Sequence, residues 1–248
     1  MTNDDDILMQ AALIDKAQRD IARIERLARE DEKYRLMDIA AARADCYIFP
    51  PYRYGNITFA DLDPDISPEL TRICKFYAST WKERLASGDG LFFTSSKGIG
   101  KSINIAAIIN EILEQGGTAL FATIPQLIDR IKSNGYVEKA DIYKRIAKVD
   151  FLVNDELDEL NFNDSEAAKI IDIRYNSRKP LLITTNHRKE QIENPKDLNE
   201  KCHRSISRLA QDAIIAEKRD EDLRGRTREI KRAQILKEMA EYYQNHSE

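Results

Sequence analysis

The sequence predicts an α/β protein built around a five-stranded parallel sheet. Five short apolar stretches alternate along the chain with longer segments of helical periodicity. The apolar stretches lack the polar alternation of half-exposed strands, which is typical of parallel strands covered on both faces. A glycine-containing loop lies between the first of these strands and the helix that follows it. In open parallel sheets, ligands bind at the carboxyl ends of the strands, where such loops lie.

The first section of the chain, residues 5–44, has no proline and no glycine and predicts one amphipathic helix. Its apolar residues recur at steps of three and four, namely Ile7, Ala11, Ile14, Ala17, Ile21, Ile24 and Ala28. Pairs of opposite charge four residues apart, such as Asp15 and Arg19, support the helix. The apolar stripe is thin and rich in alanine, so the helix needs a surface to lie against. That surface is either the chain's own globular domain or a groove in a partner protein. The third alternative is that the segment is disordered when alone.

Two consecutive prolines end this section, and an extended stretch is expected after them. Ser67, Pro68 and Glu69 then have the residue types of an N-cap, a first helical position and an acidic first turn. Apolar residues at helical spacing follow without interruption, so we expect a single helix that stops at Gly88-Asp89-Gly90.

Strands and helices then alternate to about residue 216. The predicted strands are Leu91–Thr94, Thr118–Thr123, Phe151–Asn154, Leu181–Thr185 and Ala213–Ala216. The predicted helices lie near residues 101–114, 125–133, 138–148, 164–177 and 199–211, and a charged helix is expected from about residue 226. We therefore divide the chain into an N-terminal helical extension (1–46), an α/β domain (47–228) and a C-terminal charged helix (229–248).

Composition narrows the class of protein. Lysine and arginine number 39 against 43 aspartates and glutamates, and the formal net charge of −4 argues against broad non-specific affinity for DNA. The three cysteines are far apart and only three histidines are present, so a disulfide scaffold and a zinc site are poorly supported. No apolar run approaches the ~18–20 residues that span a bilayer. The acidic N-terminus is unlike a signal peptide, so we expect a cytoplasmic protein without a membrane partner.

The strongest motif is the loop Ser-Ser-Lys-Gly-Ile-Gly-Lys-Ser, which follows the first predicted strand. It matches the phosphate-loop pattern G-x-x-x-x-G-K-[ST] except at its first position. In such a loop the backbone N–H groups and the lysine bind phosphates, and the final hydroxyl ligates Mg²⁺. The candidate residues for binding ATP with Mg²⁺ are Ser95, Ser96, Lys97, Gly98, Ile99, Gly100, Lys101 and Ser102. Ser95 replaces the opening glycine, a change that either weakens binding or only adjusts the loop.

Polar residues also follow the third and fourth predicted strands, at the same edge of the sheet. Asp155 would hold Mg²⁺ together with Ser102, and Glu156 would polarise the attacking water. Asn154 stands where a buried apolar residue is usual, so its amide must find a hydrogen bond or cost stability. Asn186 would position the water or contact the terminal phosphate; without the other motifs it would be assigned to a turn or a helix cap.

With these motifs in this order, the chain resembles the AAA+ ATPases of the DnaC/DnaI helicase-loader and IstB transposition-helper group over residues 47–228. The resemblance extends to the lead-in Pro-Pro-Tyr-Arg-Tyr-Gly-Asn-Ile-Thr-Phe at residues 50–59, the strand tip Thr184-Thr185-Asn186, and the segments 203–209 and 222–224. It implies an AAA+ P-loop ATPase fold and ATP hydrolysis that depends on assembly. Ser95 and Asn154 depart from the usual loop and strand patterns of the family, so we expect turnover to be slow.

The resemblance also implies roles for individual residues. Asn186 matches the first sensor of the family and Arg224 the second. Arg208 matches the arginine finger that enters a neighbour's nucleotide site, and Arg204 lies one turn earlier. A finger supplied by a neighbour would make hydrolysis depend on self-association through the ATPase domain. Arg204 and Arg208 could instead form ion pairs with acidic residues of their own chain.

The partners follow from the same resemblance. It implies that residues 5–44 bind a hexameric DnaB-type replicative helicase and that the chain helps to place it on single-stranded DNA during replication initiation. Lys132 and Tyr136 stand where related loaders carry a basic-aromatic element that contacts single strands, although a tyrosine there also suits loop packing. Two alternatives stay open: an IstB-like ATPase that assists a transposase, and a nucleotide-binding adaptor with little turnover, which Ser95 and Asn154 favour.

Overall fold

The computed structural model describes residues 3–47, 49, 52–64, 68–96, 98–133, 135–157, 165–190, 207, 213–218, 232 and 235–239. The chain divides into two compact units, Met1–Arg43 and Ala44–Glu248. The first unit contains most of helix α1 (Asn3–Cys46), whose last turn belongs to the second unit. This helix extends slightly beyond the predicted 5–44 at both ends. Glu25 pairs with Arg29 at 3.5 Å as the charge spacing suggests, and Arg35 pairs with Glu32 at 2.8 Å.

The second unit is built on five parallel strands, as the sequence predicts. The strands are β1 (Gly90–Ser95), β2 (Ala119–Thr123), β3 (Phe151–Asp155), β4 (Leu181–Thr185) and β5 (Ala213–Lys218). Their order across the sheet is β2-β3-β4-β1-β5, and all neighbouring pairs are parallel. The connection after β1 runs toward the β2 edge, whereas the connections after β2, β3 and β4 run the other way. Such a reversal opens a crevice at the carboxyl end of β1.

The helices of this unit lie close to their predicted positions. They are α2 (Pro68–Ser79), α3 (Trp81–Ser87), α4 (Lys101–Glu114), α5 (Ile124–Ser133), α6 (Tyr136–Lys148) and α7 (Ser165–Asn176). The predicted helix near 199–211 falls almost wholly outside the described residues, and so does most of the C-terminal charged helix, of which residues 235–239 are helical. Among the described residues, no helix is long and apolar enough to cross a membrane.

The single helix expected from Pro68 to the Gly88 turn is wrong, because it is two helices. The break is at Thr80, whose backbone (φ −111°, ψ 24°) leaves the helical region. The hydroxyls of Ser79 and Thr80 both donate to the carbonyl of Phe76, each at 2.9 Å. Side-chain hydroxyls that bond to a carbonyl one turn earlier compete with the backbone and bend or end helices.

The stretch before α2 is also more structured than the extended chain expected from the sequence, since Tyr52–Asn56 form a 3-10 helix. Asn110, buried on α4, donates from its amide to the carbonyl oxygens of Tyr54 and Ile57, both at 2.8 Å. The Tyr54 carbonyl also accepts from Ile57 N at 3.2 Å, so the Asn110 amide adds to the bonds of this turn and binds the carbonyl that follows it. The lead-in segment is thereby fixed to the helix that follows the phosphate loop.

Two apolar layers cover the sheet. On one face, buried residues of β1 to β4 pack with those of α5, α6 and α7 in a single core cluster that includes Phe92, Leu152 and Ile183. On the other face, Tyr77 and Trp81 lie edge-on to Phe151, with ring centroids 6.4 and 6.2 Å apart. Both faces of the central strands are therefore covered by buried apolar side chains, and polar groups concentrate where the strands end.

A buried arginine closes the amino-terminal edge of the sheet. Arg174 on α7 is fully buried, and its guanidinium donates to four carbonyl oxygens, those of Ile146, Val149, Asp150 and Pro180, at 2.6–2.8 Å. Burial lowers its pKa to about 9, which still leaves the group charged at neutral pH. One side chain thus satisfies backbone groups from the end of α6 and the segments that lead into β3 and β4.

Candidate active site

The phosphate loop connects β1 to α4, at the crevice predicted by the strand order. Gly98 and Gly100 both have φ of 85°, a left-handed conformation that glycine adopts at little cost. Between them Ile99 is fully buried and anchors the loop to the core. Gly100 caps α4, so the loop leads directly into a helix N-terminus, where backbone N–H groups suit an anion. Lys97, the third predicted residue of the loop, lies outside the described residues.

Lys101 is the first residue of α4 and points back across the loop. Its Nζ donates to the carbonyl oxygens of Ser95 and Ser96 at 3.2 and 3.0 Å, and to Oδ1 of Asn186 at 3.0 Å. An ammonium with three oxygen acceptors is equally suited to phosphate oxygens. The structure therefore brings the loop lysine and the polar tip of β4 into direct contact.

Ser95 occupies the loop position where glycine is usual. It is buried at the end of β1, and its hydroxyl donates to the carbonyl of Ser96 at 3.0 Å. Asn104, one turn into α4, supports the loop from the other side by donating to the carbonyl of Gly100 at 3.0 Å. The hydroxyl of Thr71 donates in turn to the Asn104 amide oxygen at 3.3 Å. The loop is thus braced by side chains of α2 and α4.

Asp155 ends β3 and faces the first turn of α4. Ser102 Oγ donates to Asp155 Oδ1 at 2.9 Å, and Thr184 Oγ1 donates to the same oxygen at 2.5 Å. Burial raises the pKa of Asp155, while the two hydroxyls and the charge of Lys101 oppose that rise. A hydroxyl and a carboxylate held side by side are the hard oxygen ligands that Mg²⁺ prefers, so this pair fits the predicted metal role.

Glu156 follows Asp155 and is exposed at the mouth of the crevice. Its φ of 56° is left-handed, which is unfavourable for a residue with a Cβ atom. Two bonds to Thr184 hold this conformation: Glu156 N donates to Thr184 Oγ1, and Leu157 N donates to the Thr184 carbonyl, both at 2.8 Å. The backbone therefore turns sharply after β3 and places the Glu156 side chain at the carboxyl edge of the sheet.

Asn154 lies on the opposite face of β3 from Asp155. It is fully buried, and neither its amide oxygen nor its amide nitrogen has a hydrogen-bond partner in the part of the chain that the structure describes. In register it sits between Ala122 of β2 and Ile183 of β4, both apolar. The sequence predicts either a hydrogen bond for this amide or a loss of stability. Because no bond is found among the described residues, we expect the loss of stability.

Five other predicted site residues take no part in the contacts described above, and three of them are not described by the structure. Arg204, Arg208 and Arg224 lie outside the described residues. Lys132 is exposed in the last turn of α5, and α6 begins at Tyr136. The predicted roles of these residues in the neighbour's site and in DNA contact stay predictions.

Sequence reasoning assigned no role to Thr184, although its hydroxyl contacts Asp155. The motif Thr184-Thr185-Asn186 was recognised only as part of a strand tip. The available signal was alternation, because Thr184 and Asn186 lie two positions apart, which is the spacing of side chains on one face of an extended chain. What the sequence did not provide was the position of β4 beside β3.

The sequence was compared with those of known proteins. No family model matches the chain. Over 147 residues it is 28% identical to the replicative helicase loader DnaC of Escherichia coli strain K12, a match that covers 56% of this chain and 59% of DnaC. The resemblance to helicase loaders is confirmed. The chain spans about three fifths of the length of the curated relatives that it matches.

Solved structures show the same fold. The crystal structure of the DnaC helicase loader matches with a TM-score of 0.55 and 21% identity, over 66% of this chain and 98% of that chain. DnaA from Aquifex aeolicus, solved with bound AMPPCP, matches with a TM-score of 0.50 and 16% identity, over 69% of this chain and 51% of that chain. The predicted α/β fold with a five-stranded parallel sheet is confirmed.

Proposed function

We propose that this chain is an ATP-dependent loader that binds a hexameric DnaB-type replicative helicase and helps to place it on single-stranded DNA during replication initiation. The observation that carries the proposal is the likeness to DnaC together with a polar cluster at the carboxyl edge of the sheet. In that cluster Lys101 contacts Asn186, and Ser102 contacts Asp155. These contacts join the phosphate loop to the ends of β3 and β4, as an ATP site requires.

Within this site each residue has a task that its chemistry allows. The loop N–H groups and Lys101 would bind the phosphates of ATP, with Lys101 exchanging its carbonyl acceptors for phosphate oxygens. Ser102 and Asp155 would hold Mg²⁺, which neutralises phosphate charge when bound. Glu156 would orient and deprotonate the attacking water, and Asn186 would fix the water or the terminal phosphate.

Assembly would complete the site. Arg208 would reach the nucleotide of a neighbouring copy, and Arg224 would act as the second sensor within its own chain. Hydrolysis would then be slow in the isolated chain and faster in the assembled one. Lys132 and Tyr136 would contact single-stranded DNA through charge and base stacking.

Helix α1 is the proposed contact with the helicase. Ile24 and Leu27 expose 65% and 46% of their surface, although both are apolar. A helix that presents apolar residues at three-residue steps is suited to a groove in a partner protein. The exposed polar residues between them, such as Arg26, would face away from that groove.

The proposal is tested by size-exclusion chromatography with light scattering of the chain mixed with its host's replicative helicase, with ATP and with ADP. We expect a stable complex with the wild-type chain and with Arg26→Asp, and a complex that is lost with Ile24→Asp. Arg26→Asp is the control, because Arg26 is also exposed on α1 and its substitution changes the charge by more than Ile24→Asp does. If the wild-type chain forms no complex in either nucleotide, the loader function is wrong, and a transposase is the next partner to test.

A nucleotide-binding adaptor with little turnover is the second candidate function. Two features favour it: the amide of Asn154, which precedes Asp155 and has no hydrogen-bond partner among the described residues, and the serine at position 95. Phosphate release is measured with helicase and single-stranded DNA present, and Glu156→Gln sets the background. ATP binding without release above that background would identify an adaptor, whereas release above it supports the ATPase.

A further inference from the structure

Thr184 is the point at which β4 contacts the candidate metal ligand on β3. Its hydroxyl donates to Asp155 Oδ1 at 2.5 Å, and both side chains are buried. Asn154 is level with Ile183 in the β3–β4 ladder, so Asp155 is level with Thr184. The contact therefore follows from the strand register and does not depend on a loop.

The same hydroxyl also accepts a hydrogen bond from Glu156 N at 2.8 Å. The Thr184 carbonyl accepts one from Leu157 N at 2.8 Å, and the neighbouring Thr185 hydroxyl donates to the Leu157 carbonyl at 2.9 Å. Four hydrogen bonds thus join the tip of β4 to residues 155–157. Because this hydroxyl donates to the Asp155 carboxylate and accepts from the Glu156 amide, it orients both groups.

We propose that Thr184 is a positioning residue for Mg²⁺: it orients the Asp155 carboxylate toward Ser102 and holds the backbone turn that places Glu156. The inference deepens the proposed function and rests on it. The hydroxyls of Thr184 and the candidate ligand Ser102 both donate to the same Asp155 oxygen. Residues that hydrogen-bond to a metal ligand orient it, and losing them typically weakens metal affinity by roughly 10- to 100-fold.

The test measures affinity for a fluorescent ATP analogue by titration, once with Mg²⁺ and once with EDTA, so that no turnover is needed. Thr184→Val removes the hydroxyl while keeping a similar shape, and Thr184→Ser keeps the hydroxyl. We expect Thr184→Val to need roughly tenfold more Mg²⁺ than the wild type for the same gain in affinity for the analogue. Its affinity for the analogue in EDTA should be unchanged. Thr184→Ser should restore the wild-type dependence on Mg²⁺.

Thr185→Val is the matched control, because this neighbour is also buried on β4 but its hydroxyl contacts the Leu157 carbonyl and not a carboxylate. It should leave the dependence on Mg²⁺ unchanged. A Thr184→Val chain with the wild-type dependence would overturn the role of Thr184. A wild-type chain that binds no nucleotide in either condition would instead overturn the proposed ATP site and this role together.

A second measurement keeps the inference testable if Thr184→Val does not fold. In the wild-type chain the amide protons of Glu156 and Leu157 are bonded to Thr184, so both should exchange slowly with deuterium. Thr184→Ser should preserve that protection. Rapid exchange at these two amides in the wild-type chain would overturn the proposed turn.

Discussion

The ammonium of Lys101 donates a 3.0 Å hydrogen bond to the side-chain oxygen of Asn186, which lies 85 positions later in the chain. This bond connects the start of α4 to the residue that follows β4. Because phosphate oxygens would compete for the same ammonium protons, binding at the loop would release the Asn186 oxygen. The end of β4 would therefore respond directly to occupation of the phosphate loop.

Lys101→Met is expected to weaken binding of a fluorescent ATP analogue by roughly 10- to 100-fold, because a hydrogen bond to a charged group contributes about 1.5–3 kcal/mol. Lys144→Met is the control, since Lys144 forms an exposed ion pair with Asp141 on α6, away from the loop. Titration at constant Mg²⁺ measures both affinities. Equal affinities for wild type and Lys101→Met would exclude Lys101 from the site.

Asn154→Val is expected to raise the free energy of unfolding by about 1–3 kcal/mol, since it removes a buried amide that has no partner among the described residues. Urea denaturation measures the change. Asn110→Val serves as the contrast: that amide is also buried but donates two hydrogen bonds, so its loss should destabilise the chain. Destabilisation by Asn154→Val would mean that the amide has a partner in the folded chain.

Arg174→Met is expected to lower the free energy of unfolding by more than about 3 kcal/mol, because four carbonyl oxygens, three of them in buried hydrogen bonds, would lose the guanidinium donor. Arg178→Met removes a nearby but exposed arginine, and should change stability by less than about 0.5 kcal/mol. Chemical denaturation compares the two variants. Similar stabilities for both would contradict the structural role of Arg174.

The hydrogen bonds of Glu166 predict that the free energy of unfolding depends on pH. It accepts hydrogen bonds from the Tyr143 hydroxyl and from Lys139 Nζ, and these hold the pKa of Glu166 below its ordinary value of 4.5, the Tyr143 bond most strongly. A lowered carboxyl pKa adds stability that is complete above the ordinary value and is lost as pH falls through the folded value.

Wild type should therefore be more stable than Glu166→Gln at pH 7, and this advantage should shrink as the pH is lowered to about 3. Urea denaturation at both pH values measures it. Asp129→Asn, at an exposed position on α5, is the control for loss of one carboxylate. An advantage of wild type over Glu166→Gln that is constant between the two pH values would contradict the lowered pKa.

Local patterns were sufficient to predict most elements of the fold. The boundaries of β4 and α4 agree with the sequence because apolar runs and a helix-starting loop mark them directly. The break at Thr80 could not be predicted, because the apolar spacing continues across it. It arises from hydroxyl groups that compete for one carbonyl, which is a matter of side-chain geometry.

Part of the candidate site could also be predicted from local motifs, and part could not. Lys101, Ser102 and Asp155 belong to motifs whose spacing along the chain carries their chemistry, and the structure brings them together. The bonds of Thr184 to Asp155 and Glu156 depend on which strands are neighbours and on their register. Those relations join distant parts of the chain, and local sequence patterns do not specify them.

The left-handed backbone at Glu156 has a consequence for engineering. A residue with a Cβ atom in this conformation costs about 1–3 kcal/mol, and glycine would avoid most of that cost. Glu156→Gly should therefore increase resistance to heat while it removes the carboxylate from the crevice. A library screened for thermostability alone would therefore be enriched in chains that lack the carboxylate proposed to act on the attacking water.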